Sequence, residues 1–283
     1  MKITTQISFM IALFLSSCVY AQKLEGIATY KSQRKFEIEL DSTVHDGMRD
    51  QIMAMLKKQS EKEFILEFTE NESEYKEEEK LDDNTVISGG GMEIVVQGSG
   101  GNDVLYKNLK EKRYANSVEV FGKEFLIKDR LEQEAWKLEK ETKNIGEYTC
   151  FKATYTTTRK SMSAESSSDG IEGNSSESVS EEEVFVTAWY TPQIPVQHGP
   201  SNYGGLPGLI LEVNDGTETI LCSKIILNPE KGLTIKEPTK GKTVDKAAYE
   251  DILEKKMKEM NEQFESDSRR NEGGHTMSIK IGG

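Results

Sequence analysis

Short strand-like segments recur along the chain, and in the clearest of them, 64–68, side chains alternate with a period of two, the pattern of a strand that buries one face. The predicted strand segments are 24–30, 64–68, 92–97, 104–106, 118–121, 124–127, 136–140, 148–157, 184–190, 209–213 and 220–227. Between two of them Gly122-Lys123, with glycine first, predicts a type II′ hairpin turn. We therefore expect a mainly β (α+β) fold, built as a curved antiparallel sheet or a half-barrel.

Two segments have the three-to-four residue spacing of an amphipathic helix, and we expect one covering helix near each end of the chain. The first lies within residues 43–58. The apolar positions of the second are Tyr249, Leu253, Met257, Met260 and Phe264. After the second helix, residues 277–281 alternate again and predict either an edge strand or a disordered tail.

The first residues have the features of a secretory signal peptide. Lys2 gives a positive start, residues 7–15 form an apolar run, and Val19-Tyr20-Ala21 matches a cleavage site. We expect removal of residues 1–21 and export, to the periplasm, the outer membrane or the extracellular space. In the alternative, Cys18 is acylated and retained as a lipoprotein anchor. The apolar run is too short for a transmembrane span, which needs about 20 residues.

The acidic balance of the chain limits its partners. With 36 Lys and Arg against 49 Asp and Glu, the formal net charge is -13. Nucleic-acid backbones require clustered cations, so we expect no nucleic-acid partner. Residues 161–183 hold seven acidic residues, nine Ser and no Lys or Arg. This composition predicts a disordered acidic insertion within a hairpin.

Cys150 and Cys222 are the two cysteines that remain once the signal peptide is removed. In an oxidising compartment an even pair predicts a disulfide, which would stabilise the fold by about 4 kcal/mol in the chain-entropy model. The alternative is two buried thiols that pack as small hydrophobic groups.

The segment from residue 191 to residue 208 has the most distinctive composition. It contains four of the six prolines, together with several glycines. Proline fixes φ and removes a backbone donor, so this segment cannot be a central strand. We expect a rigid, shaped surface that binds a partner. The candidate binding residues on and beside it are Trp189, Tyr190, His198, Tyr203, Leu206 and Pro207.

Residues 205–210 read GLPGLI, and the chain resembles the GLPGLI family of exported Bacteroidetes proteins. Further motif pieces in the expected order are Trp136-Lys137-Leu138, residues 141–150, Ala188-Trp189-Tyr190-Thr191, Ile194-Pro195 and Gly199-Pro200. The resemblance covers most of residues 22–235. It implies an envelope protein of antiparallel β-structure and lends no catalytic residues. We place one domain over 22–243, with a C-terminal amphipathic helix and tail of the same domain over 244–283.

The chain has no motif that assigns a reaction. Its three histidines, His45, His198 and His275, are far apart, and no H-E-x-x-H, EF-hand or G-x-S-x-G pattern occurs. We therefore assign no catalytic residue, metal ligand or cofactor. Two non-catalytic hypotheses remain. In the first, the 191–208 surface docks an envelope protein such as an outer-membrane transporter. In the second, the concave face of the sheet carries an apolar ligand or lipid.

Overall fold

The structure, a computed structural model, describes residues 24–35, 61–78, 84–89, 92–97, 103–165 and 176–270. The strands are β1 (Gly26–Arg34), β2 (Glu61–Phe68), β3 (Glu72–Glu77), β4 (Asn84–Gly89), β5 (Met92–Gln97), β6 (Val104–Asn108), β7 (Arg113–Val120), β8 (Lys123–Arg130), β9 (Lys137–Ile145), β10 (Tyr148–Glu165), β11 (Ser176–Thr191), β12 (Leu209–Asn214), β13 (Glu218–Leu227) and β14 (Lys242–Val244). A helix, α1, spans Lys246–Arg270. The predicted mainly β fold is confirmed.

Twelve strands form one open sheet, in the order β14-β8-β7-β6-β3-β2-β1-β13-β12-β11-β10-β9. Strands β2, β3, β6, β7 and β8 form one antiparallel meander, and strands β9 to β13 form a second. Strand β1 joins the two meanders by pairing with β2 on one side and β13 on the other. Strand β14 adds to β8 in parallel. The sheet is not closed into a barrel, because its outermost strands are β14 and β9.

Strand β1 ties the two meanders together through its buried face. Ala28, Tyr30 and Ser32 are buried at alternate positions, as the sequence pattern predicts. The side chain of Tyr30 is completely buried, and its hydroxyl donates a hydrogen bond to the carbonyl oxygen of Ile210 in β12 at 2.7 Å. A buried tyrosine needs such a partner for its hydroxyl. The bond therefore fixes β12 against the centre of the sheet.

Strand β12 is buried on both of its faces. Leu209 and Leu211 pack in a core cluster that includes residues of β1 and β2. Ile210 and Val213 pack in a second cluster with Ala188 of β11. The continuous apolar run of β12 follows from this arrangement, because a strand covered on both faces has no solvent side.

Helix α1 packs on the β8 end of the sheet. The carboxylate of Asp245 accepts a hydrogen bond from the backbone N–H of Ala248 at 2.8 Å, which caps the first turn. The ring of Tyr249 meets that of Phe125 edge to face, with 5.7 Å between the centroids. The predicted C-terminal helix is thus confirmed. The helix predicted within residues 43–58 and the tail at 277–281 lie outside the described residues.

No helix in the described part of the chain combines the length and the apolar composition of a membrane span.

The acidic segment 161–183 is part of the β10–β11 hairpin at both of its ends. Glu165 of β10 pairs with Ser176 of β11, so the strands extend well into the segment. The prediction of disorder is therefore wrong for residues 161–165 and 176–183, while residues 166–175 lie outside the described residues. The ladder of backbone hydrogen bonds between the two strands continues although the local composition is polar.

The hairpin between β7 and β8 turns one residue earlier than predicted. Val120 pairs with Lys123, so Phe121 and Gly122 are the two loop residues. Their φ values are 53° and 68°, the positive pair of a type I′ turn rather than the predicted type II′. Glycine adopts positive φ without strain, whereas a phenylalanine there is strained by its Cβ.

Replacing Phe121 with Asn should stabilise the protein by about 0.5–1 kcal/mol, because Asn-Gly is the preferred pair of a type I′ turn. Phe121 is 46% exposed, so little buried contact is lost. Replacing Phe121 with Val should not stabilise, because a β-branched residue tolerates positive φ poorly. Urea unfolding of both variants checks this order. Equal stability of the Asn and Val variants would contradict the type I′ turn.

Candidate functional site

The Pro/Gly-rich segment forms a closed loop between β11 and β12, which we call the 192–208 loop. Its two ends meet where Thr191 pairs with Leu209. Gly208 lies so close to this junction that an added Cβ would be 2.2 Å from the carbonyl oxygen of Thr191. The position therefore accepts no side chain. The base of the loop is closed by backbone contact alone.

One side of the loop belongs to the core and the other to the surface. Ile194, Val196 and His198 are buried, whereas the intervening Pro195 and Gln197 are exposed. Three backbone hydrogen bonds hold this run against the returning chain, from the N–H groups of residues 205, 209 and 210 to the carbonyls of residues 197, 194 and 198. The exposed side chains are thus displayed from a backbone that is anchored beneath them.

A buried lysine from the other meander holds the tip of the loop. The amine of Lys107 in β6 donates hydrogen bonds to the carbonyl oxygens of Gly199, Ser201 and Tyr203 at 3.0, 2.7 and 3.0 Å. Ser201 has a φ of 49°, in the left-handed region that few residues other than glycine adopt. The three alternate carbonyls converge on one nitrogen. We call this contact the Lys107 clamp.

Only 3% of the surface of Lys107 is exposed. This burial lowers the pKa of its amine to about 7. Three donated hydrogen bonds need all three protons of an ammonium group. The geometry therefore describes the protonated amine, and the carbonyl oxygens offset part of the desolvation cost. No carboxylate of the described residues acts on the pKa of this amine.

Trp136 makes a second contact with the loop. Its indole N–H donates to the carbonyl oxygen of Gly204 at 2.9 Å, and its ring meets Tyr155 edge to face at 4.5 Å. Tyr203 packs against both core clusters, and burial raises the pKa of its hydroxyl. Residues from β6, β10 and the start of β9 therefore fix the same tip.

His198 lies on the buried side of the loop and is 1% exposed. Its ring centroid is 6.4 Å from that of Phe68. Neither ring nitrogen makes a hydrogen bond of normal geometry to a described residue, although the backbone of Thr69 and Glu70 lies beside the ring. Burial and the charge of Lys107 lower the pKa of the imidazole to about 3, so His198 is neutral at pH 7.

A polar cleft of about 290 Å³ lies beside the loop tip. The connection from β8 to β9 forms its far wall, and the N–H of Leu131 holds that wall to the β6–β7 turn by donating to the carbonyl of Lys112 at 2.9 Å. The polar side chains around the cleft are Lys107, Lys112, Glu132, Gln133, Glu134, Gln197 and Asn202.

The charges around the cleft are mixed. Glu132 pairs with Lys246 of α1 at 3.6 Å. Burial, followed by the neighbouring Glu132, raises the pKa of Glu134. Hydrogen-bonding amides and both signs of charge suit the recognition of a polar partner. Among the residues that the structure describes, no group of three His, Cys, Asp or Glu could hold a metal ion.

The structure separates the six predicted binding residues instead of bringing them together. Tyr190, His198 and Leu206 are buried, so they present little surface of their own in this structure. Pro207 is exposed and Tyr203 is partly buried. The buried residues of the set anchor the loop and the adjoining end of β11 to the core.

Trp189, the sixth predicted residue, is partly buried on β11, and it packs in the core cluster opposite that of Tyr190. The amine of Lys143 lies 4.4 Å from the centroid of its ring. The same amine pairs with Glu212 at 2.6 Å. Trp189 therefore belongs to a network on the sheet rather than to the cleft.

Sequence reasoning missed Lys107 and the cleft residues Gln197, Asn202 and Glu132. A lysine inside a strand pattern is normally solvated, and nothing near Lys107 in the sequence marks it as buried. The two amides lie inside the Pro/Gly-rich segment, but its composition does not distinguish them from the side chains that face inward.

The predicted disulfide is absent: Cys150 and Cys222 are free thiols in the structure. The two residues lie in β10 and β13, which are separated by β11 and β12 in the sheet. Both thiols are buried in one core cluster, and burial raises the pKa of Cys150 to about 11 and that of Cys222 to about 12. They pack as small hydrophobic groups, the alternative that the sequence left open.

Comparison with known proteins matches part of the chain to a family model without an assigned role. Residues 136–212 match a family model described as "Protein of unknown function (Porph_ging)". The matched part runs from Trp136 through the 192–208 loop into β12. No curated protein is detectably similar in sequence.

Two solved structures of PNGF-II, in the C2 and P21 space groups, resemble the chain distantly. Each aligns with 81% of this chain and 32% of the PNGF-II chain, at 15% identity and a TM-score of 0.45. The chain thus spans about a third of the length of PNGF-II. A likeness at this level assigns no property of PNGF-II to this chain.

Replacing Lys107 with Met should lower the free energy of unfolding by about 3 kcal/mol, because three buried carbonyl groups lose a charged donor. Replacing Lys112 with Met, at an exposed position on the same cleft, should change it by less than about 0.5 kcal/mol. Denaturant unfolding of both variants measures the difference. Equal losses in the two would show that the Lys107 clamp does not stabilise the fold.

Proposed function

We propose that the chain is a non-catalytic binding module, and that it recognises a protein partner through the 192–208 loop and the adjacent cleft. The observation that carries this proposal is the Lys107 clamp. It holds the loop tip in one conformation, while the exposed side chains of the tip remain directed to solvent.

Rigidity supports recognition because a surface that is already ordered loses little entropy on binding. Prolines at positions 192, 195, 200 and 207 restrict the backbone of the loop. Between them, the exposed amides of Gln197 and Asn202 face the cleft with both donor and acceptor atoms. Amides and mixed charges favour a partner that presents a polar main chain or side chains over an apolar one.

Catalysis has less support from the same residues. The buried bases His198 and Lys107 lie beneath the loop, and the amine of Lys107 already donates to three carbonyls. No serine or cysteine nucleophile of the described residues is paired with either base. A binding role needs only the exposed side of the loop.

The apolar-carrier hypothesis has less support than docking. Both faces of β12 are filled by packed side chains, and a groove of about 410 Å³ near Cys222 is lined by charged Glu147 and Lys224 as well as by apolar residues. An apolar ligand requires a cavity lined mainly by apolar groups.

Affinity capture from the native envelope with the Gln197→Ala/Asn202→Ala variant tests the docking proposal. A protein retained by the unmodified chain should bind this variant at least about tenfold more weakly, a loss of about 1.4 kcal/mol. Gln33→Ala, which removes an exposed amide from β1, serves as the matched control and should bind normally. Equal affinity for all three chains would remove the loop from consideration as the docking site.

We also propose that the chain is exported, on the basis of its first 21 residues. Mass spectrometry of the protein from its native host should show a mature chain that begins at Gln22 and carries no lipid. A chain that begins at a diacylated Cys18 would establish the lipoprotein alternative instead. A chain that retains Met1 would contradict both forms of export.

A further inference from the structure

Lys107 and His198 are two basic side chains that are both buried on the inner side of the 192–208 loop. Lys107 holds three carbonyls of the loop, and His198 belongs to the loop itself. The amine of Lys107 donates to the carbonyl of Gly199, the residue that follows His198, and its charge acts on the imidazole. Protonation of His198 would therefore place two cations in one closed site, where low dielectric strengthens their repulsion.

No negative group relieves this repulsion among the residues that the structure describes. The neighbours of His198 are Lys107 from β6, the ring of Phe68 from β2, and the backbone of Thr69 and Glu70 in the β2–β3 turn. On its C-terminal side, the carbonyl of His198 accepts from the N–H of residue 210 in β12. Lys107 is the only charged side chain of these described elements that acts on the imidazole.

The closed state already contains unsatisfied polar groups. Ser73 pairs with Lys107 in register, and its buried hydroxyl makes no hydrogen bond to any described residue. Neither ring nitrogen of His198 makes a hydrogen bond of normal geometry to a described residue, although the backbone of Thr69 and Glu70 partly favours the protonated ring. A buried polar group without a partner disfavours the state that contains it. Opening of the loop would give water access to the ring of His198.

We propose that the 192–208 loop is an acid-sensitive latch, closed while His198 is neutral and opened when His198 is protonated beside the Lys107 ammonium. Opening releases the carbonyls of Gly199, Ser201 and Tyr203 from the Lys107 clamp. It also brings the buried Ile194 and Val196 to solvent. The latch is a property of the chain alone and does not depend on the proposed docking role.

The direction of the pH effect follows from proton binding. The imidazole has a pKa of about 3 in the closed loop, against the ordinary 6.5 of a solvated histidine. Between these two values the open state binds more protons, so acidification favours opening by about tenfold per pH unit. Lys107, with a pKa lowered to about 7, changes its protonation between pH 7 and its ordinary value, outside this window.

Hydrogen exchange of the full chain from pH 7.5 to pH 4, corrected for intrinsic exchange rates, tests the latch without any partner. The amides of Gly205, Leu209 and Ile210 close the loop by hydrogen bonds. Below pH 6.5, where Lys107 is protonated in both states, their protection should fall by about tenfold per unit of acidification. Amides of β7 and β8 should keep their protection, which distinguishes loop opening from global unfolding.

The His198→Gln variant keeps a polar side chain that does not titrate, and below pH 6.5 its loop protection should not depend on pH. Constant protection in the unmodified chain, or an equal fall in this variant, would overturn the latch.

A second measurement applies even if His198→Gln does not fold. The variant His45→Gln/His275→Gln leaves His198 as the one histidine of the chain. Its imidazole, followed by NMR, should stay neutral well below pH 6.5 and become protonated only as the loop amides lose protection. Titration near pH 6.5 with unchanged protection would refute the proposal.

Discussion

The Lys107 clamp is the contact on which the candidate site depends. It joins a strand of the first meander to the loop of the second, across more than 90 residues of sequence. A single ammonium group accounts for three loop carbonyls, and the left-handed Ser201 is tolerated because this contact holds it. The shape of the exposed loop therefore depends on a residue that is itself nearly inaccessible.

The clamp also explains why the loop can be rich in proline and glycine and still be well defined. Each proline removes one backbone donor from the loop, although the remaining N–H groups still bond within it. Side chains from outside compensate: Lys107 and the indole of Trp136 both donate to carbonyls of the tip. Three apolar anchors, Ile194, Val196 and Leu206, complete the attachment by packing into the two core clusters.

Much of the fold could be predicted because a strand's alternation is a local property. The buried positions of β1 follow it. The predictions were wrong where the structure depends on how one strand pairs with its neighbour. The turn type at Phe121 is decided by the register of Val120 with Lys123, and the length of the β10–β11 hairpin is decided by its ladder. Neither register is visible in one strand alone.

The sequence indicated where the candidate site lies, but it did not indicate which of its side chains are buried and which are exposed. Composition located the loop, yet it could not show that His198 and Leu206 face inward while Gln197 and Asn202 face outward. Lys107 carried no signal at all, because its burial arises only when the loop closes over β6. The sequence likewise could not show that the two cysteines lie in strands with two others between them, because that depends on the strand order.

The position of β1 has a consequence for how the chain is made. Its first partner, β2, follows within about 30 residues, but Gly26 pairs on its other side with Leu227. During synthesis, one edge of β1 therefore stays unpaired until about 200 further residues have emerged from the ribosome. Each meander can assemble from neighbouring strands as it appears, whereas the central seam closes last. A nascent chain of this protein is thus exposed longest to wrong pairing along the strand that ends up at the middle of its sheet.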